Sequence, residues 1–241
     1  VSKISGTTKY GFIWAGTSGE DTTINLADTG SGYFQSAVGS IIFGKGGNDV
    51  ITGTVDFLEG GSLGTGGNDI IYGGADNDTI IGGSGFNSIY GGDGTDWLWY
   101  TDSNSVIINV ASGTATHTDT TSGTAYTYTD PFSNVEHYKG STVGDDTFSF
   151  GSTFTTATSI LGEGGTDTLT LNGDYSGGVT LTYVDTVEAL TLAGGNSYDV
   201  TLGVSSSLIS VNGAAAGSVT LNGSSNGSGF SYQGGSGVDS I

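Results

Sequence analysis

The sequence lacks cysteine and arginine altogether, and it contains a single proline and only four lysines. Without cysteine, the chain can form neither a disulfide nor a thiolate metal site. Its 24 acidic residues give a formal net charge of −20, and four cations cannot neutralise the phosphates of a nucleic acid. No stretch approaches the ~20 apolar residues of a membrane span. We therefore exclude nucleic acid as a partner and predict no membrane insertion.

Glycine and aspartate are the residues that the sequence has in excess. Its 241 residues include 46 glycines, whereas apolar residues make up only 34%, below the roughly 45–50% of an ordinary globular chain. This is too little for a thick two-layer core, but it is enough for a thin interior filled by one residue per short strand. Aspartate outnumbers glutamate by 19 to 5, and many aspartates follow a glycine pair. Short carboxylates in glycine turns are suited to binding a metal ion.

A nine-residue repeat occupies residues 64–99, with the units GTGGNDIIY, GGADNDTII, GGSGFNSIY and GGDGTDWLW. The glycines supply backbone freedom for a tight turn, and the last three residues of each unit form a short strand. We predict that the middle residue of each strand points inward, at Ile71, Ile80, Ile89 and Leu98. Two units make one turn, so loops 18 residues apart stack on the same side. The predicted fold class is all-β, a parallel β-roll or β-solenoid interrupted by a β-hairpin connector.

The sixth residue of each unit is predicted to form a ladder of acidic side chains. The predicted order is Asp49, Asp69, Asn87 on one side and Asp56, Asp78, Asp96 on the other. Carboxylates stacked roughly 5 Å apart repel, and a divalent cation with six to eight oxygen ligands turns this repulsion into binding. The 18-residue pairs are in register, whereas Asp49 and Asp56 lie 20 and 22 residues from their partners. We therefore expect two strong sites and two weaker ones. The calcium affinity should be reduced at the site where Asn87 offers a neutral oxygen.

The repeat resembles that of the RTX family, the haemolysin-type calcium-binding repeat proteins. The resemblance implies Ca2+ as the cofactor, held by side chains and turn carbonyls of two stacked loops. The implied side-chain ligands are Asp69, Asp78, Asp96 and Asn87, with Asp49 and Asp56 in the weaker sites. The implied carbonyl ligands are Gly64, Gly66, Gly73, Ala75, Gly83, Gly85, Gly92 and Gly94. The resemblance also implies type I secretion and an extracellular location at the bacterial cell surface.

The pattern divides the chain into four predicted segments. Residues 1–43 are an N-terminal β segment leading into the solenoid, and residues 44–101 are the calcium-binding β-roll. Residues 102–143 form the hairpin connector. Residues 144–241 keep the rhythm of short strands without the nonapeptide, which predicts a calcium-poor parallel solenoid.

Within these segments, the clearest N-terminal strand is predicted at residues 22–26. The connector is predicted to have one strand at 106–110 and its returning strand at 124–129. The chain ends on a fresh repeat at 234–241, so we expect the solenoid to continue in a longer protein. Three single units have no partner loop that the sequence can assign; they contain Asp146, Asp167 and Asp239.

Sequence signals for catalysis are weak. Residues 60–64 fit the Gly-x-Ser-x-Gly of a nucleophile elbow, but no buried strand leads into them and no helix follows. The two histidines, His117 and His137, lie in the connector, and we interpret both as solvated or structural. We predict no catalytic residues and no enzyme activity.

Three classes of function remain open from the sequence. The first is a structural segment of a secreted bacterial surface protein, such as a surface-layer lattice or an adhesin stalk. The second is the calcium-binding accessory domain of a type I-secreted protease, lipase or polysaccharide epimerase. The third is a stand-alone adhesive or ice-binding module. The long calcium-poor solenoid favours the first, whose expected partners are copies of the chain joined by calcium into a lattice or fibre, with a cell-surface polysaccharide as a further candidate.

Overall fold

Short β-strands make up the regular structure of this protein. The computed structural model describes residues 2–4, 13–15, 18–19, 24–25, 41–53, 67–101, 103–120, 125–203, 207–223, 229–235 and 237–241. These residues form 24 strands and no helix, and so the described chain offers no helix long and apolar enough to cross a membrane. The chain divides into a first unit, Val1–Ser105 with Thr114–Tyr138, and a second unit, Val106–Gly113 with Lys139–Ile241.

The strands follow one another at short intervals along the chain. In order they are β1 (Ser2–Ile4), β2 (Ile13–Ala15), β3 (Ile24–Asn25), β4 (Ile41–Gly46), β5 (Val50–Thr52), β6 (Ile70–Ala75), β7 (Thr79–Ile81), β8 (Ser88–Asp93), β9 (Trp97–Trp99), β10 (Ser105–Asn109), β11 (Thr114–Asp119), β12 (Tyr126–Ser133), β13 (His137–Lys139), β14 (Thr147–Phe150), β15 (Ser159–Leu161), β16 (Thr168–Leu171), β17 (Tyr175–Leu181), β18 (Tyr183–Asp185), β19 (Ala189–Leu192), β20 (Tyr198–Leu202), β21 (Ser210–Asn212), β22 (Val219–Asn222), β23 (Ser231–Gln233) and β24 (Asp239–Ser240).

The first unit is a parallel solenoid with two columns of strands. In one column β2, β4, β6 and β8 pair in parallel, and in the other β3, β5, β7 and β9 do so. The chain alternates between the columns, so that each turn adds one strand to both. Ile71 pairs with Ile42 on one side and Ile89 on the other. The predicted all-β parallel β-roll is thus confirmed.

The core of the first unit is thin, because each strand of its regular turns buries a single apolar side chain. The side chains predicted to point inward, at Ile71, Ile80, Ile89 and Leu98, are all fully buried, which confirms the alternation read from the repeat. Burying each such side chain contributes about 1.5–3 kcal/mol, and a turn of the solenoid has room for only a few. The interior alone therefore stabilises the unit weakly, and the turns must contribute.

The turns between the columns require a left-handed backbone at the second and fourth positions of each repeat. The φ angle is 125° at Gly92 and 136° at Gly94. A Cβ added at Gly92 would collide with the carbonyl oxygen of Gly74 in the preceding turn. Both backbone conformation and close stacking therefore favour glycine there. Lys45 and Asp76 adopt the same region without being glycine, with φ of 91° and 77°.

The second unit is also built from parallel strands. One set pairs in the order β10, β14, β16, β19, β21 and β23, and another in the order β17, β20, β22 and β24. The buried residues again stack between turns, with Leu169 beside Phe148 on one side and Leu190 on the other. The parallel solenoid predicted beyond residue 144 therefore continues in the strands of this unit.

The hairpin of the connector differs from the prediction. Its antiparallel strands are β11 and β12, paired from Thr114 with Pro131 to Asp119 with Tyr126. Sequence reasoning missed β11 because its buried side chains are Ala115 and His117, which are not bulky apolar residues.

Residues 106–109 form a strand as predicted, whereas residue 124 lies outside the described residues. Of the strand predicted at 22–26, the described part is β3. The predicted segment boundaries at 43, 101 and 143 remain predictions; the two compact units divide the chain within the connector instead.

Candidate calcium sites

A ladder of acidic side chains follows one edge of the first unit, where the chain passes from one column of strands to the other. It consists of Asp49, Asp78, Asp96 and Glu136, and we call it the first ladder. The backbone N–H of Asp49 donates to Oδ1 of Asp78 at 2.8 Å, and that of Asp78 donates to Oδ1 of Asp96 at 2.8 Å. The N–H of Asp96 donates to Oε2 of Glu136 at 2.9 Å. The three aspartates are at most 1% exposed. Each rung is thus tied to the next through a carboxylate, buried at Asp78 and Asp96 and exposed at Glu136.

The second carboxylate oxygen of these aspartates lies in an oxygen-lined gap. Oδ2 of Asp78 and Oδ2 of Asp96 are buried, and neither has a hydrogen-bond partner among the described residues. A Cβ added at Gly73 would collide with Oδ2 of Asp78 and with the carbonyl oxygen of Gly91 in the following turn. Acceptors that face one another without a donor require a cation or a proton between them.

Further turn carbonyls lie between these stacked turns. The carbonyl oxygens of Gly74 and Asp76 lie against Gly92 and Gly94 of the following turn. Among the described residues, no three His, Cys, Asp or Glu side chains cluster to hold a metal by themselves. Coordination must therefore combine two stacked carboxylates with backbone carbonyls. Such an all-oxygen donor set fits Ca2+.

The structure shows which neighbouring turn some of the turn carbonyls face, while the set of carbonyls that bind the ion stays a prediction. The resemblance implied Gly73, Ala75, Gly92 and Gly94 among these ligands. In the structure, the carbonyl of Gly73 lies against Gly44 of the preceding turn. The carbonyl of Gly91 lies likewise against Gly73 of its preceding turn, whereas those of Gly74 and Asp76 lie against the following turn.

Two of the remaining implied carbonyl ligands, Gly83 and Gly85, belong to the other edge of the first unit. Gly85 accepts a hydrogen bond from the side-chain amide of Asn87 at 3.4 Å. Gly83 adopts the left-handed region with φ of 77°. Gly64 and Gly66 lie outside the described residues.

The register predicted for Asp49 is wrong. Asp49 stacks on Asp78, 29 residues away, and not on Asp69. The reason is that strand pairing, rather than residue count, sets the stacking: β4 pairs with β6, and β5 pairs with β7. Asp49 thereby takes the place beside Asp78 that the prediction gave to Asp56, which lies outside the described residues. The pairs separated by 18 residues, Asp78 with Asp96 and Asp69 with Asn87, stack as predicted.

The opposite edge of the first unit is held by hydrogen bonds. Oδ1 of Asn87 accepts from the N–H of Asp69 at 2.9 Å, and its Nδ2 donates to the carbonyl of Gly82 at 3.0 Å. Asn87 thus presents donors to the turn, where the prediction expected a free oxygen ligand. We expect this edge to bind calcium more weakly than the first ladder.

The next rung on that edge is Asp130, which sequence reasoning missed. Its Oδ1 accepts from the N–H of Asn87 at 2.7 Å, and its Oδ2 accepts from the Tyr100 hydroxyl at 2.8 Å. Nε2 of His117 lies 3.2 Å from the same Oδ2, and both side chains are fully buried. His117 is therefore structural, which is one of the two roles predicted for it. Protein donors surround the carboxylate of Asp130 without a cation.

A second ladder lies in the second unit and consists of Asp146, Asp167 and Glu188. The N–H of Asp146 donates to Oδ1 of Asp167 at 2.7 Å, and that of Asp167 donates to Oε2 of Glu188 at 2.8 Å. The sequence left Asp146 and Asp167 without partner loops; the structure makes each the neighbour of the other. Asp239 also joins a neighbouring turn, where its Oδ1 accepts from the N–H of Val219 at 3.2 Å.

Burial shifts the pKa of the ladder carboxylates upward. Desolvation, together with the neighbouring charges of Asp96 and Asp49, raises the pKa of Asp78 to about 7. Burial likewise raises the pKa of Asp146 to about 7 and that of Asp167 to about 6. The pKa of Asp96 is raised by burial and by the nearby Glu136. Without a cation, these carboxylates hold protons at a far higher pH than ordinary aspartates.

These features define a class of protein: a parallel β-roll whose turns stack buried carboxylates and carbonyls in an arrangement suited to calcium. The family model of the RTX calcium-binding nonapeptide repeat, in four copies, matches residues 40–62, 63–88 and 72–107. Residues 40–107 are therefore RTX repeats, and the ion that they bind is Ca2+. Repeats of this kind are typically structural and typically occur in secreted proteins. A comparison with curated protein sequences finds no match.

The raised pKa values predict that the calcium-free protein is more stable in mild acid than in mild alkali. The pKa of Asp78 rises from its ordinary 3.8 to about 7 on folding, so the folded state holds this proton more tightly than the unfolded chain. The stability that the proton contributes is fully present below about pH 4 and is lost as the pH rises through about 7.

We expect calcium-stripped protein in metal-free buffer to melt at a higher temperature at about pH 5 than at about pH 8. In saturating calcium the carboxylates are ionised, so this acid preference should disappear, and calcium binding near neutral pH should release protons. Thermal unfolding followed by circular dichroism measures both conditions. A melting temperature in metal-free buffer that is equal at both pH values, or higher in alkali, would contradict the prediction.

Proposed function

We propose that this chain is a calcium-dependent structural segment of a secreted bacterial surface protein, of the surface-layer or adhesin-stalk kind. The observation that carries the proposal is the extent of the solenoid. Parallel strands stacked on buried apolar side chains continue through the second unit, far beyond the RTX repeats at residues 40–107. A repetitive scaffold of this kind extends a molecule and presents long surfaces.

Charge supports a role for calcium in assembly as well as in folding. A net charge of −20 keeps copies of the chain apart. Divalent cations that bridge acidic faces remove this repulsion, so that self-association into a lattice or fibre becomes favourable only when calcium is present. A cell-surface polysaccharide is a further partner in this proposal, as the anchor of such an assembly.

Assembly is tested on the purified chain by analytical ultracentrifugation and electron microscopy. We expect oligomers or ordered arrays in calcium that dissolve on addition of EGTA. Magnesium at equal ionic strength is the matched control, because it screens charge equally but keeps its own water ligands. A chain that folds in calcium yet stays monomeric at high concentration would instead support an accessory domain of a type I-secreted protease, lipase or polysaccharide epimerase.

A further inference from the structure

Both acidic ladders end in the same short turn. In the first unit it is the segment Asn134-Val135-Glu136, and in the second unit it is Thr186-Val187-Glu188. The first residue of each adopts the left-handed region, with φ of 53° at Asn134 and 51° at Thr186. The valine of each turn is buried, at 9% exposure or less. Neither turn contains the glycine pattern of the nonapeptide.

The two turns also make the same backbone hydrogen bonds to the aspartate that precedes them in the stack. The N–H groups of Glu136 and His137 donate to the carbonyl of Asp96 at 3.2 and 3.0 Å. Those of Glu188 and Ala189 donate to the carbonyl of Asp167 at 3.1 and 3.0 Å. The same hydrogen-bonded turn thus occurs twice in the chain, once in each unit.

In both places the glutamate replaces the aspartate of the next rung. Oε2 of Glu136 accepts from the N–H of Asp96, as Oδ1 of Asp96 accepts from the N–H of Asp78. Oε2 of Glu188 has the same relation to Asp167. The glutamate turn is shorter than the six-residue turn beneath it, so the longer side chain brings its carboxylate to the level that an aspartate reaches in the full repeat.

Each ladder has a last gap, between its final aspartate and the glutamate, which we call the end gap. One unsatisfied carboxylate oxygen points into each end gap. Oδ2 of Asp96 and Oδ2 of Asp167 belong to fully buried residues, and neither oxygen has a hydrogen-bond partner among the described residues. A Cβ added at Gly91 would collide with Oδ2 of Asp96 and with the carbonyl oxygen of Asn134. One added at Gly162 would collide with Oδ2 of Asp167 and with the carbonyl oxygen of Thr186.

Asp146 in the second ladder provides a contrast within the same unit. Its Oδ2 accepts from the backbone N–H and the hydroxyl of Ser141, at 2.6 and 3.1 Å. Protein donors therefore satisfy Oδ2 of Asp146, whereas Oδ2 of Asp167, one rung further, has no partner among the described residues and lies near the carbonyl oxygen of Thr186. Facing acceptors without a donor are the arrangement that a hard cation stabilises.

We propose that each ladder ends in a calcium site shared by an aspartate and a glutamate: Asp96 with Glu136 in the first unit, and Asp167 with Glu188 in the second. The carbonyl oxygens of Asn134 and Thr186 contribute to these sites. The second site lies outside the residues that match the RTX repeat, and both use a glutamate turn that the nonapeptide lacks. The proposal concerns ion binding alone and holds whether or not the chain assembles into a lattice.

The glutamates allow a direct test in the unmodified chain, because there are only five of them. With glutamate labelled at its side-chain carboxyl carbon, an NMR titration with calcium follows each carboxylate separately. We expect the Glu136 and Glu188 signals to shift as calcium binds. Glu163 is the internal control, since its Oε1 pairs with Nζ of Lys139 at 2.7 Å and it belongs to neither ladder. End-gap signals that shift no more than that of Glu163 would overturn the proposal.

Substitution then measures how much the glutamates contribute. Glu136→Gln and Glu188→Gln keep a side-chain oxygen for the aspartate N–H but remove the charge. Equilibrium dialysis should show either one bound calcium fewer for each variant or an affinity about tenfold lower at one site, and additive losses in the double variant. Glu163→Gln should bind like the parent chain. A double variant with the calcium number and affinity of the parent would mean that the glutamates only cap the ladders.

Discussion

Removing calcium should unfold the RTX region of this protein, and restoring calcium should refold it. The thin core contributes little, and the first ladder buries the carboxylates of Asp78 and Asp96 next to facing carbonyls. A site whose ion is present at a hundredfold excess over its dissociation constant adds about 2.7 kcal/mol to the free energy of unfolding. A few such sites equal the whole stability of an ordinary domain, about 5–15 kcal/mol. We therefore expect calcium to decide whether the region folds.

Circular dichroism measures this effect directly. In EGTA at neutral pH we expect loss of the β spectrum over the RTX region and a lower melting temperature, both reversed by millimolar calcium. Magnesium serves as the control, because its small octahedral shell does not suit a site of six to eight oxygens. If EGTA changed neither the β spectrum nor the melting temperature, the fold would be independent of the ion.

Replacing Asp78 by alanine should cause a larger loss than replacing Asp49, the first described rung of the first ladder. Asp78 lies between Asp49 and Asp96, so its carboxylate borders two gaps, and its Oδ1 also accepts the N–H of Asp49. Asp78→Ala removes a ligand from both gaps and leaves a buried N–H unsatisfied. We expect the loss of two bound calcium ions and a fall in the melting temperature in calcium on the order of 10 °C.

The control for this variant is Asp93→Ala, which removes the same charge from an exposed third position of the neighbouring turn. It should retain the calcium number of the parent and shift the melting temperature by only a degree or two, in the range of about 0.5 kcal/mol. Asp49→Ala should have an intermediate effect, because Asp49 borders one described gap with Asp78. Calorimetry that finds equal losses for Asp78→Ala and Asp93→Ala would disprove the stacking order of the first ladder.

The regular part of the fold could be predicted from sequence because its period is local. Nine residues contain one turn and one short strand, so the positions of Ile71, Ile80, Ile89 and Leu98 follow from the repeat alone. The partner of Asp49 did not follow, since it depends on which strands pair. Counting residues placed Asp49 near Asp69, whereas the pairing of β4 with β6 and of β5 with β7 places it on Asp78.

The second ladder and the glutamate turns were not predictable for a related reason. Asp146 and Asp167 are 21 residues apart, and the chain between them keeps no nonapeptide period that could relate them. Glu136 and Glu188 occupy rungs of the ladders without the glycines that mark such a position. The signal that could have found them is a similarity within the sequence. Asn-Val-Glu at 134–136 and Thr-Val-Glu at 186–188 each precede a strand at the same point of a turn.

The first ladder also shows how the protein accommodates extra sequence. The hydrogen bonds from Asp49 to Asp78 and from Asp78 to Asp96 are both 2.8 Å long, although they close 29 and 18 residues of chain respectively. The additional residues lie between β5 and β6 in the chain, and the hydrogen bonds of the first ladder keep one length across both spans. Extra sequence between these two strands is therefore compatible with the first ladder. We expect a foreign peptide grafted there to leave the ladder intact.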